Sequence, residues 1–367
     1  MIRADFVVIG GGIAGVSAAA NLAAHGSVTL LEMESSLAYH TTGRSAAVFV
    51  ANYGAEGVRP LARASLGFLK QPPAGSVDGP LLSPRGLLWI ATEGQMDRLD
   101  DHASGPESEV IDSASVAELL PVVRRERIAG GVYEPEASDI DVAALHQAFV
   151  RLARRDGASI ETSSPVIDIA QVGSGWLART PHGDYAADVI VNATGAWGDR
   201  VASLAGVSPV GLQPMRRTAF MVPGHHSYSK WPLTADAEQR FYFKPDGVQL
   251  LCSPSEETPS EPTDPCPRME DVALAIDRIC EATTLSIRTV NASWVGLRTF
   301  APDREMVIGE DPQASGFYWL VGQGGTGIQT APACGALLAA LVSGEPIPVA
   351  LAEAGADPAI MSPARFR

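Results

Sequence analysis

Three glycines and one carboxylate offer the first chemistry. Gly10, Gly12 and Gly15 stand in a G-x-G-x-x-G spacing, and Glu32 follows seventeen residues after the last of them. That pattern suits a dinucleotide. Gly10 permits a tight turn, Gly12 lets backbone approach a pyrophosphate, and Gly15 lets a helix sit close on a strand. Ile13 and Ala14 fall where the free N–H groups and the positive dipole end of that helix would meet the phosphate. Glu32, with Met33 after it, is placed to reach a ribose hydroxyl. The glycine pattern by itself does not separate FAD from NAD.

Such a turn works only if the right elements hold it. Phe6-Val7-Val8-Ile9 is an apolar run before the glycines, an Ala-rich stretch from Ser17 to His25 follows, and Val28-Thr29-Leu30-Leu31 is a second apolar run ending in Glu32. Together they predict a strand, a helix and a second parallel strand, a complete βαβ unit.

Bulk properties narrow the setting. At 367 residues the chain exceeds the usual size of a single core, which predicts two domains. A formal charge of −15 argues against nucleic acid as a partner, because such binding needs basic patches. Cys252, Cys266, Cys280 and Cys334 are widely spaced, so neither a metal site nor a disulfide framework is expected. Met1-Ile2-Arg3 leads straight into the first strand, and no apolar run approaches the ~20 residues of a spanning helix. The expectation is a cytoplasmic protein without a transmembrane segment, free to touch the inner membrane peripherally.

Further along, His40, Thr41, Thr42, Gly43, Arg44, Ser45, Ala46 and Ala47 form a donor-rich loop suited to walling a cofactor. Leu87-Leu88-Trp89-Ile90 reads as a strand. Ser115 and Glu118 read as a capping box opening a short helix that Pro121 ends. Asp141 can cap a helix carrying Val142, Leu145, Phe149 and Leu152 as a core stripe. Runs at Thr218 to Val222, Phe241 to Phe243 and Val248 to Cys252, with a helical stretch from Glu270, predict an antiparallel sheet with a helix. The Pro- and acid-rich interval 253–267 reads as an exposed loop. Phe317 to Val321 predicts a strand feeding a glycine loop and a helix from Ile328 that carries Pro332 in its first turn.

Several blocks, in one order, resemble the D-amino acid oxidase and glycine oxidase (DAO) family of FAD-dependent oxidoreductases, and within it most closely the bacterial D-arginine dehydrogenase branch. They are Val8 to Gly15, His40 to Ala47, Leu82-Ser83-Pro84-Arg85, Asp139-Ile140-Asp141, Gly211 to Pro214 with Arg216-Arg217, Gly296-Leu297-Arg298, and Gln323-Gly324-Gly325 with Gly327 to Thr330. The resemblance implies FAD rather than NAD. It implies an α/β fold, α+β overall, in which a Rossmann-like FAD-binding domain (1–86, 140–206 and 290–367) receives an inserted antiparallel-sheet substrate domain (87–139 and 207–289).

It also implies site residues. Val166, Ala193, Gly195 and Trp197 match strand ends that approach the cofactor. Gly324, Gly325, Thr326, Gly327, Ile328, Gln329 and Thr330 match the helix N-terminus facing the flavin. No cysteine occupies that loop, and Cys334 lies inside the helix, so noncovalent FAD is expected. Arg217 and Arg298 match arginines that clamp a substrate carboxylate, a task suited to bidentate guanidinium. Tyr242 and Tyr53 match substrate-side tyrosines, Tyr53 on a loop over the site.

The implied reaction is oxidative deamination of a D-amino acid to a 2-oxo acid and ammonia by hydride transfer from Cα to flavin N5. Quinone or oxygen would be the electron acceptor. Oxidation of a secondary amine, glycine or sarcosine, or a non-catalytic flavoprotein subunit, are the alternatives. Arginine-preferring relatives carry a glutamate where this chain has Leu87, and a histidine and a threonine at Val48 and Val50. With Gly325 beside them, these residues predict an apolar pocket that takes neutral or hydrophobic D-amino acids rather than D-arginine.

Overall fold

The computed structural model describes residues 1–103 and 107–367. Its first element is strand β1 (Ile2–Ile9), followed by helix α1 (Ile13–Leu22) and strand β2 (Val28–Leu31), the βαβ unit expected from the apolar runs. β1 pairs in parallel with β2 on one side and with the Gly183–Asn192 strand on the other. The Ala314–Val321 strand continues the parallel set beyond Gly183–Asn192, and Ser159–Glu161 continues it beyond β2. Because β1 lies between strands reached by opposite crossovers, its carboxyl end opens into a crevice, where doubly wound sheets bind ligands.

The glycine turn is built by exclusion. Gly10 has φ +109°, and a side chain there would start 2.6 Å from the Ala193 carbonyl oxygen. A β-carbon at Gly15 would lie 1.8 Å from the Gly10 carbonyl oxygen, so α1 rests directly on the turn. The apolar face of α1 packs with the helices Val142–Arg155 and Gly327–Ser343 in one buried cluster.

A second sheet of nine strands carries the remaining segments. Leu87–Ala91, Glu109–Asp112 and Gly130–Glu134 come from the first insertion; Gln213–Pro223, Leu233–Asp236, Tyr242–Asp246 and Gln249–Ser253 come from the second. One face buries Phe220, Val222, Phe243 and Cys252 under the Met269–Ala282 helix. The opposite face presents Arg217, Ala219, Tyr242 and Arg298 to the crevice.

Several expectations need correction. The two insertions join through a parallel pair, Leu87–Ala91 with Leu233–Asp236, so the sheet is not wholly antiparallel. Parallel pairing needs a long crossover, and the intervening nucleotide-binding segments supply it. A boundary at 290 assigns Ala292–Phe300 to the first unit, yet that strand pairs with Gln213–Pro223 from Gln213↔Phe300 to Met221↔Ala292. The helix at 113–119 is capped by Asp112, which accepts from Ser115 N–H at 2.8 Å, rather than by a box starting at Ser115. The last long helix begins at Gly327, which moves Pro332 beyond its first turn. The 253–267 interval is no simple exposed loop, because Thr258–Pro259 pairs with Gln213–Pro223 and Ser253, Pro254 and Pro265 are buried. Asp141 does cap the Val142–Arg155 helix, accepting from Ala144 N–H at 2.8 Å.

Gly15→Ala should destabilise the protein by about 1–3 kcal/mol, because helix and turn must separate to admit a methyl group. A thermal melt with an unchanged midpoint would contradict the close seating of α1.

Candidate functional site

The crevice at the carboxyl ends of the parallel strands encloses about 480 Å³. Gly10, Gly12, Ile13 and Ala14 line it from the glycine turn, and Glu32 and Met33 from the end of β2. His40, Thr41, Thr42, Arg44, Ser45 and Ala46 line it from the following loop. Val166, Ala193, Gly195 and Trp197 line it from the neighbouring strand ends, and Gly324, Gly325, Gly327 and Ile328 from the last glycine loop. The remaining expected cofactor residues lie elsewhere. Gly15 is consumed in the contact with Gly10, and Gly43 packs against the Ala38 carbonyl. Ala47 and Gln329 line a neighbouring cavity and Thr326 an outer chamber. Thr330 is fully buried, its hydroxyl donating to the Thr326 carbonyl at 2.9 Å.

Two features of this crevice suit an elongated anionic ligand. Neither α1 nor the Gly327–Ser343 helix has an acidic residue in its first turn or a side-chain cap from its own N-cap residue. Their positive dipole ends therefore face the same cleft with no acid of their own first turns against them. Glu32 is 7% exposed; its Oε2 accepts from Gly11 N–H at 2.6 Å and its Oε1 from Glu34 N–H at 2.8 Å. Glu32 thus fixes the turn as well as facing the ligand, and each oxygen keeps a lone pair for a ribose hydroxyl. Thr42 Oγ1 accepts from Ile13 N–H at 3.0 Å. The loop that carries Thr42 is fastened to the second sheet, where Thr41 Oγ1 donates to the Leu297 carbonyl and Arg44 to the Val295 carbonyl, both at 2.9 Å. His40 meets Glu34 at 2.9 Å and lies against the Trp197 ring at 4.6 Å, forming one wall.

A smaller cavity of about 120 Å³ shares Ser45, Ala46, Arg217, Tyr242, Arg298, Gly325 and Ile328 with the crevice. Val48, Val50, Leu87 and Tyr53 line it as the sequence predicts. Trp89, Leu233, Ala235, Gln239 and Ser255 also line it and were not anticipated. Trp89 was legible, two residues from Leu87 and therefore on the same strand face; Leu233 and Ala235 depend on an unreadable parallel pairing.

Strand alternation separates the adjacent arginines. Arg216 faces away, buried, and donates to the Cys266 carbonyl at 2.6 Å. Arg217 faces the cavity, its Nε donating to the Glu256 carbonyl at 2.9 Å and its Nη2 to Glu257 Oε1 at 3.3 Å. Arg298 lies beside Tyr53, close enough for its charge to act on the Tyr53 hydroxyl. Gly325 admits this arrangement, since a β-carbon there would lie 2.8 Å from Arg298 Nη1.

Burial, reinforced by the like charge of Arg298, pushes the Arg217 guanidinium below its ordinary value. Burial pulls the Tyr53 hydroxyl up, but the charges of Arg298 and Arg217 outweigh it and hold Tyr53 below the usual tyrosine range. A site that lowers one cation and favours a phenolate is short of negative charge. Among the residues lining this inner cavity there is no Asp, Glu or His. Cys334 is buried against Met306 Sδ at 3.7 Å, and burial pushes its thiol up to about 12.

The sequence matches the DAO family, FAD dependent oxidoreductase, over residues 5–341. The chain belongs to the DAO family. FAD is therefore its cofactor. Mouse dimethylglycine dehydrogenase (Mus musculus, mitochondrial) is 28% identical over 69% of this chain and 30% of its own length. The chain thus spans under a third of the curated dimethylglycine dehydrogenases it matches. Glycine oxidase from Geobacillus kaustophilus (strain HTA426) is 27% identical over 71% of this chain and 70% of its own length. Among solved structures, a glycine oxidase from Geobacillus kaustophilus superposes with a TM-score of 0.87 at 24% identity, covering 100% of both chains. L-proline dehydrogenase from P. horikoshii gives 0.85 at 20%, covering 100% of this chain and 98% of the other. These likenesses fix the DAO fold. Among the described residues of this DAO-family chain, no helix is long and apolar enough to cross a membrane, and no His, Cys, Asp and Glu group could hold a metal.

Because the Tyr53 hydroxyl ionises below its ordinary value, anionic ligands should weaken as pH rises through that ionisation, when a phenolate competes for Arg298. Carboxylate affinity measured from pH 7 to 10 should show this alkaline fall in the wild type. The fall should disappear in Tyr53→Phe.

Proposed function

We propose that this protein uses FAD to oxidise a small amino acid anchored by its carboxylate to Arg217 and Arg298, with neutral or hydrophobic D-amino acids as the preferred substrates. The observation that carries this reading is the convergence of two buried guanidiniums, otherwise short of counter-charge, where the cofactor crevice meets an apolar cavity. The D configuration is supported by the resemblance of the Leu82 to Arg85, Asp139 to Asp141 and Gly296 to Arg298 blocks to D-amino-acid-oxidising relatives. The cavity walls Val48, Val50, Leu87, Leu233 and Ala235 support apolar side chains, and no carboxylate among them would pair with a guanidinium. A buried cation there would lack a partner, at a cost of several kcal/mol.

FAD, when bound, supplies the two-electron acceptor for a hydride from the substrate Cα. The chain's residues do the positioning. Arg217 and Arg298 fix the carboxylate, the Tyr53 and Tyr242 hydroxyls complete its hydrogen bonding, and the apolar walls exclude water from the amine-bearing carbon. With no carboxylate or imidazole lining the inner cavity, the ammonium must lose its proton to water before the hydride leaves. Hydrolysis of the resulting imino acid gives the 2-oxo acid and ammonia. The buried, protonated Cys334 supports noncovalent FAD.

Oxidation of a secondary amine or glycine is the second reading. It is favoured by the relatives named glycine oxidase, dimethylglycine dehydrogenase and sarcosine dehydrogenase, and by an inner cavity of only about 120 Å³.

Anaerobic mixing of the FAD-loaded protein with a panel of D- and L-amino acids, glycine and sarcosine should bleach the flavin fastest with neutral D-amino acids. Fastest bleaching by sarcosine favours the second reading, and no bleaching by any of them defeats both. Arg217→Met or Arg298→Met should lower kcat/KM by about 10²–10³-fold, the loss expected on removing one partner of a buried charge pair. Leu87→Glu should raise kcat/KM for D-arginine relative to D-leucine; no gain would count against the pocket assignment.

A further inference from the structure

The inner cavity opens into an outer chamber of about 770 Å³ that shares Val50, Tyr53, Trp89, Arg217, Gln239 and Gly325 with it. Across their junction stands Glu257. Its Oε1 accepts from Arg217 Nη2 at 3.3 Å, and both its oxygens accept from Arg304 Nη2, at 3.1 and 2.9 Å. Arg304 is half exposed in the chamber, and its guanidinium lies 3.9 Å over the Phe300 ring. Glu257 is therefore a fixed carboxylate shared between one arm of the inner guanidinium pair and an outer arginine.

That position has a consequence for charge. A substrate carboxylate bound between Arg217 and Arg298 sits beside Glu257, and a second carboxylate extending outward would enter a chamber already lined by Glu257, Glu134 and Asp101. Of the outer arginines on its wall, Arg304 is already taken by Glu257, and Arg59 donates its Nε to the Gly54 carbonyl at 3.2 Å. Asp303 and Glu238, also on the chamber wall, are paired with Arg365 and Arg240.

We propose that Glu257 is a specificity-determining residue that restricts this site to monocarboxylates, by occupying Arg304 and repelling a second acidic group from the outer chamber. The proposal rests on the reading that Arg217 and Arg298 bind the substrate carboxylate. Removing the charge while keeping an acceptor in place, as in Glu257→Gln, frees Arg304 to receive the second carboxylate.

The experiment titrates the full-length, FAD-loaded protein with propionate and with succinate at constant ionic strength, reading the perturbation of the flavin absorption band. Wild type should prefer propionate. Glu257→Gln should shift the ratio of the two Kd values toward succinate by about tenfold, Glu257→Asp should keep the wild-type preference, and Glu257→Gln/Arg304→Gln should lose most of the shift. A ratio unchanged in Glu257→Gln overturns the role of Glu257 while leaving the anchor intact. Failure of propionate to bind wild type overturns the anchor, and this proposal with it.

Discussion

Burying two guanidinium groups on neighbouring strands is the constraint around which the second sheet is arranged. Like charges repel and desolvation penalises each, so Arg217 and Arg298 need partners that hold them without neutralising them. The partners are weak: a backbone carbonyl from Glu256 and the half-shared carboxylate of Glu257 for Arg217, and the neighbouring Tyr53 for Arg298. None cancels the pair. What remains is a local excess of positive charge aimed at a largely apolar cavity, an excess that a carboxylate would relieve.

The same logic of unfinished bonding governs the crevice. Two helices begin there without acids in their first turns, one behind the first glycine turn and one behind Gly324 and Gly325. The glycines are not interchangeable in purpose. Gly15 is spent on helix seating, Gly10 on the turn, and Gly325 on making room for Arg298. The two sheets are stitched together at the Thr41 to Arg44 loop, whose side chains reach carbonyls of the Ala292–Phe300 strand. Cofactor wall and guanidinium pair are thereby mechanically linked.

Much of this was legible in the residues. The βαβ unit, the Asp141 cap and the split between Arg216 and Arg217 follow from local rules of periodicity, capping and strand alternation. What escaped was non-local. Nothing in Leu233 to Asp236 announces a parallel partner at Leu87–Ala91, so Leu233 and Ala235 could not be placed in the cavity. The pairing of Ala292–Phe300 is likewise a matter of register, set by the partner rather than by its own pattern. The 253–267 interval has the composition of a solvated loop, yet its own Glu256 and Glu257 hold Arg217 and Arg304. Acid-rich composition says that a segment can face water; it does not say which cation it will meet.

The parallel junction between Leu87–Ala91 and Leu233–Asp236 carries one more implication. Each sheet is completed only by strands far apart in the chain, since Ala314–Val321 must also dock beside Gly183–Asn192 before the crevice has both sides. Neither half can mature alone during synthesis. Leu87–Ala91 must keep one edge open until Leu233–Asp236 emerges, an architecture of high contact order that favours slow, late consolidation.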